Sequence, residues 1–107
     1  MSTFDKREDS FERKYAHDEE LRFKAEARRN KLLGVWAAGL LGLSGTEAQD
    51  YAKSVVMADF QEAGDHDVFR KVFGDLQAAG VDQSEHQVRR TMDELMAEAI
   101  NQIKTEV

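Results

Sequence analysis

Between Asp18 and Leu41 the chain reads DEELRFKAEARRNKLLGVWAAGLL, the longest helical pattern in the sequence. Leu21, Ala25, Leu32, Trp36 and Leu40 recur at whole multiples of a helical turn, which places them on one face. Arg22, Glu26, Arg29 and Lys31 then fall on the opposite face. Asp18 is placed to cap the first amides, Glu19 and Glu20 sit where the helix dipole favours negative charge, and Gly39 and Gly42 end the run. Such a helix is about 35 Å long. A rod of that length with one apolar stripe requires other elements to cover it, so the rest of the chain is read for what those elements are.

They are predicted to be helices. The 107 residues include no proline, and Ala, Glu, Leu, Lys and Gln dominate over β-branched residues. Ser44 and Glu47 have capping-box spacing and open a predicted second helix over 45–63, with Ala48, Tyr51, Ala52, Val55, Val56 and Phe60 facing inward. Gly64 stops it. Asp65 is placed to cap a third helix over 66–79, whose apolar face is Val68, Phe69, Val72, Phe73, Leu76 and Ala79, with Gly80 as its terminator. Ser84 and Gln87 repeat the capping-box spacing ahead of a fourth helix reaching about residue 104, striped by Val88, Met92, Leu95, Met96, Ala99 and Ile103. Four amphipathic helices with short connections share one core, so the fold class is all-α, a four-helix bundle.

The first seventeen residues read differently. Phe4, Phe11 and Tyr15 form a stripe too thin to define a core face, and Asp9 and Ser10 compete for backbone amides within it. The segment is expected to be disordered or frayed when free and helical against a partner. The chain thus divides into residues 1–17, a mobile interaction segment, and residues 18–107, the bundle domain. From periodicity alone, folding back onto the bundle and binding a partner are equally good explanations of the three rings. Charge is uneven: residues 1–31 hold 9 Lys or Arg against 8 Asp or Glu, whereas residues 32–107 hold 6 against 13. An acidic body argues against a general nucleic-acid footprint. No run of 18 apolar residues occurs, so a soluble, cytoplasmic monomer is expected.

Few residues suggest chemistry. With no cysteine, thiolate metal sites and disulfides are excluded. His17, His66 and His86 stand apart beside acidic residues, a pattern that suits helix starts better than metal ligation. Arg28, Arg29 and Lys31 form a basic cluster able to hold nucleotide phosphates, although a solvated face explains it more simply. Gly39, Gly42 and Gly45 follow a helix rather than a strand, which separates them from a phosphate-binding loop. Trp36, Met57, Met92 and Met96 are read either as lining a ligand pocket or, more simply, as core filling. No nucleophile lies beside a base, so an enzyme is the least favoured reading.

The run FERKYAHDEELRFKAEARRNKLLGVWAA from Phe11 to Ala38, with Phe4-Asp5 before it, DVFRKV at 67–72 and AAGV at 78–81, resembles the zeta inhibitor subunit of the alphaproteobacterial F-type ATP synthase. The resemblance implies a small bundle associated with the inner face of the bacterial plasma membrane through that enzyme. It also implies that a mobile N-terminal segment enters the catalytic sector, among the alpha, beta and gamma subunits, and blocks rotation during ATP hydrolysis. Phe4, Phe11 and Tyr15 are then the candidate anchors, with Arg7, Arg13 and Lys14 pairing to acidic rims. No cofactor is required; ATP or ADP is implied as a regulatory ligand of some members, with Arg28, Arg29 and Lys31 as its candidate contacts. The even charge of residues 1–17 and the Asp9-Ser10 pair leave open a weakly inhibitory member. The alternative is a nucleotide-binding or general helical adaptor whose bundle surface is the working part.

Overall fold

The computed structural model describes the backbone of residues 2–59 and 65–106 and the side chains of residues 19–59 and 65–106. Four helices follow one another: α1 (Ser2–Leu40), α2 (Gly45–Ala58), α3 (His66–Ala78) and α4 (Glu85–Glu106). There is no strand among the described residues. The all-α, four-helix architecture expected from the sequence is the observed one.

The long helix is longer than its pattern suggested. It starts at Ser2, so Asp18 lies within it rather than capping it, and no break in the backbone helix separates residues 2–17 from the bundle. Expected anchors Phe4, Phe11 and Tyr15 therefore sit on helical backbone; their side chains, like that of His17, lie outside the described residues. At 39 residues α1 is about 58 Å long. The molecule measures 63 × 25 × 22 Å, so α1 defines its long axis. With 14, 13 and 22 residues, α2, α3 and α4 are each far too short to accompany it throughout.

The face of α1 that enters the core is not the one marked by its large residues. Leu33, Ala37, Ala38 and Asn30 are fully buried and Arg29 nearly so, whereas Trp36 is only half-buried and Leu40 is exposed. The reason is a close helix crossing. A Cβ added to Gly34 would lie 2.5 Å from Ala52 Cα and 3.0 Å from its Cβ. Two helix backbones approach this closely only where both side chains are minimal, so α1 presents its small residues to α2 and turns Leu32 and Trp36 to the flank.

Around that contact the core is assembled from Leu33 and Ala37 of α1, Val55 of α2, Val68, Phe69, Val72 and Leu76 of α3, and Val88 and Met92 of α4. These are the inward stripes expected for α3 and α4, with Ala79 the exception, exposed beyond the end of α3. For α2 the fit is looser. Ala52 and Val55 are buried, Ala48, Tyr51 and Val56 half-buried, and the helix ends at Ala58; Phe60 and Gly64 lie outside the described residues.

The helix ends separate the cap expectations. Ser84 and Gln87 form the reciprocal capping box, Gln87 Oε1 accepting from Ser84 N at 2.8 Å and Ser84 Oγ from Gln87 N at 3.1 Å. Neither Ser44 nor Asp65 makes a side-chain cap bond. At the C-terminal ends of α1 and α3 the same geometry recurs. Gly42 (φ 78°) and Gly80 (φ 75°) adopt left-handed backbone, and the next amides, Leu43 and Val81, donate back to Ala38 and Leu76 at 2.9 Å. Beside α3, Tyr51 Oη donates to Asp75 Oδ2 at 2.8 Å, an oxygen shared with Lys71 Nζ at 3.1 Å. Burial, then the Asp75 carboxylate, pushes the Tyr51 phenol well above its ordinary range.

Two outcomes follow from this packing. Gly34→Ala is expected to lower the unfolding free energy by about 1–3 kcal/mol in urea melts, because α2 backbone has to move away, despite alanine's better helix propensity. Gly39→Ala, where an added Cβ meets nothing within 4 Å, is expected to gain about 0.5–1 kcal/mol. The raised Tyr51 pKa gives a second prediction. Its contribution to stability is complete below the unfolded value of about 10 and is lost as pH rises from there towards the folded value. Urea melts between about pH 9 and 11 are expected to show a falling stability component that Tyr51→Phe removes.

Candidate functional site

Two regions answer to the candidate residues: the N-terminal part of α1, and the basic cluster where α1 enters the bundle. The first is defined by backbone alone. Positions 4, 7, 11, 13, 14 and 15 share one continuous helix with the bundle's central element.

The basic cluster is described in full, and Arg29 parts from the other two. Arg28 is committed to the C-terminal end of α4. Its Nη1 and Nη2 donate to Glu106 Oε1 and Oε2 at 2.7 and 3.0 Å, and Nη1 also reaches Gln102 Oε1 at 2.9 Å. This fork holds the Glu106 carboxyl below its ordinary range and the Arg28 guanidinium above its own. Arg29, one residue on, points the other way and is only 5% exposed. Its Nε donates to Asn30 Oδ1 at 3.0 Å, and its Nη1 stands 3.8 Å from Asp65 Oδ2. Lys31 is exposed and borders the same hollow as Arg28 and Glu106. Arg28 and Lys31 thus border the same hollow, with Arg28 committed to Glu106, whereas Arg29 is turned into the bundle.

What sequence reasoning missed is the destination of Arg29. Apolar periodicity puts it on the outer face, yet it belongs to a polar junction between α1, α3 and α4. Arg89 Nη1 donates to Asp65 Oδ1 at 3.0 Å, Arg89 Nη2 lies 3.2 Å from His66 Nδ1, and the Arg89 guanidinium sits 4.2 Å over the Phe69 ring. Asp65 is therefore not a helix cap but the carboxylate that ties two arginines from different helices. The available signal was the stripe of small residues, Gly34, Ala37 and Ala38, whose phase would have turned Arg29 inward. Trp36, Met57, Met92 and Met96 do not line a common pocket: Met92 is buried in the core, Met57 is 63% exposed, and Met96 faces a separate hollow with Leu21, Ala25 and Ile103. No group of three potential metal ligands occurs among the described residues, and no described helix is long and apolar enough to cross a membrane.

The junction is a structural device with a measurable cost of removal. Asp65→Ala is expected to destabilise the bundle by about 1–2 kcal/mol, because it strands the nearly buried Arg29 charge; the partial exposure of Asp65 keeps the loss below that of a fully buried pair. Thermal melts in parallel with Arg90→Ala, which removes an exposed pair with Glu94, provide the contrast.

With this geometry in view, comparison with known proteins is informative. A family model described as ATPase inhibitor subunit zeta matches residues 1–102. A protein solved by solution NMR is similar in fold, with a TM-score of 0.72 at 53% sequence identity, over 81% of this chain and 99% of its own. No curated protein gives a significant match. A match that runs from the first residue of α1 almost to the end of α4 leaves the assignment of family plain: the chain belongs to the ATPase inhibitor subunit zeta family.

Proposed function

We propose that this chain is a regulatory inhibitor of an F-type ATP synthase, acting by insertion of its N-terminal segment into the enzyme's catalytic sector, among the alpha, beta and gamma subunits. The observation that carries the reading is α1 itself: one helix serves as the central element of the bundle and continues to Ser2, and the family match includes that continuation. A helix presenting Phe4, Phe11 and Tyr15 at spacings of seven and four has the pattern of a helix-in-groove ligand, with Arg7, Arg13 and Lys14 beside the rings for acidic rims. Such a segment acts by stabilising one rotary state of the enzyme over others and needs no catalytic group of its own. Its place of action is the cytoplasmic side of a bacterial membrane, reached through the enzyme it binds.

Among the described residues, the bundle's core draws on α1 from Ala25 onward. Deletion of residues 1–16 is expected to leave a folded, cooperatively melting bundle and to abolish inhibition of ATP hydrolysis by the detached catalytic sector. Retained inhibition by the shortened chain, or an unfolded product, would contradict the assignment. Phe11→Ala alone is expected to weaken inhibition roughly tenfold or more, as loss of a buried aromatic anchor does.

A further inference from the structure

On the flank of the α1–α2 pair an open trough is left uncovered. One hollow of about 590 Å³ lies between Phe23, Ala27 and Lys31 of α1, Val56 of α2 and the end of α4. A second, of about 410 Å³, continues from Lys31 and Val56 along Val35, Lys53 and Met57. Lys31 and Val56 belong to both, so the two form one channel. Its apolar surface is unusually bare: Phe23, Val35 and Met57 are 66%, 53% and 63% exposed, and they are three of the five exposed large hydrophobics among the described residues. Phe23 and Val35 are twelve residues apart on α1, about 18 Å, or three turns of a helix laid alongside.

The charge around this channel runs against that of the molecule. Lys24, Arg28, Lys31 and Lys53 line it, and Glu106 is its one acidic residue, already held by Arg28. That is a local excess of three positive charges on a chain of net charge −6. Lys31 and Lys53 have no ion-pair partner among the described residues. A shallow apolar floor between two helices, rimmed by unpaired lysines, is complementary to an amphipathic helix with acidic flanks.

We propose that this α1–α2 trough is a docking site for an acidic amphipathic helix of the catalytic sector, a second point of attachment separate from the N-terminal segment. The inference rests on the proposed function and adds to it: the bundle holds the enzyme with its own surface. The probe is the detached catalytic sector, titrated with the full-length chain and with surface variants that touch no core residue. Lys31→Glu/Lys53→Glu and Phe23→Ala/Met57→Ala are each expected to raise Kd about tenfold, and Lys31→Arg/Lys53→Arg to leave it unchanged. Added salt is expected to weaken binding of the unaltered chain more than that of the double Glu variant.

Unchanged Kd for both disruptive pairs, with the unaltered chain binding and inhibiting, would overturn the trough assignment and leave the proposed function standing. Self-association of the free chain through these residues, seen by sedimentation, would overturn it equally, since the occupant is then a second copy. If the unaltered chain neither binds nor inhibits, the proposed function fails and this inference falls with it.

Discussion

The close contact between Gly34 and Ala52 governs how this chain folds. It brings α2 onto α1 at backbone distance, and in doing so it selects which of α1's possible faces becomes the interior. Leu33 and Ala37 then meet Val55, and α3 and α4 close over the pair through Val72, Leu76, Val88 and Met92. A larger residue at position 34 would hold the two helices apart and leave those side chains short of contact, with the loss of dispersion that a gap in a packed core entails.

This contact also explains what could be read from the sequence and what could not. The number of helices, their order and the inward stripes of α3 and α4 follow from apolar periodicity, because those helices bury large residues and large residues dominate a periodicity count. The Ser84–Gln87 capping box and the Gly80 terminator were legible for the same local reason: each is satisfied within a few residues of chain. The interior face of α1 was not legible in this way, since around Leu33 it is made of small and polar residues, Gly34, Ala37, Ala38, Asn30 and Arg29. Weighting Leu32, Trp36 and Leu40 rotates the helix away from its true orientation and sends Arg29 outward.

The misplaced arginine carries the larger lesson for the candidate site. Consecutive residues on a helix diverge by about 100°, so Arg29 leaves the face that Arg28 and Lys31, three residues apart, share. In three dimensions Arg28 clamps the end of α4 beside the open channel that Lys31 also borders, and Arg29 turns away to meet Asp65. Asp65 shows the converse. It precedes a helix, where a capping role is the natural reading, yet its carboxylate is taken by Arg29 and Arg89, long-range partners that no local pattern announces.

Because α1 is one helix, its two proposed working surfaces stand in a fixed rotational relation. With 3.6 residues per turn, positions 4, 11 and 15 fall within about 40° of one another around the axis, while position 23 lies about 80° beyond position 15. A single straight partner helix could not cover both faces. Attachment through the α1–α2 trough would therefore fix not only where the bundle sits on the enzyme but the direction in which positions 4, 11 and 15 are presented to it. A helical lead-in held at one azimuth has less orientational freedom to lose on insertion than a segment on a flexible linker, so contact at the trough would strengthen insertion without touching the inserted residues.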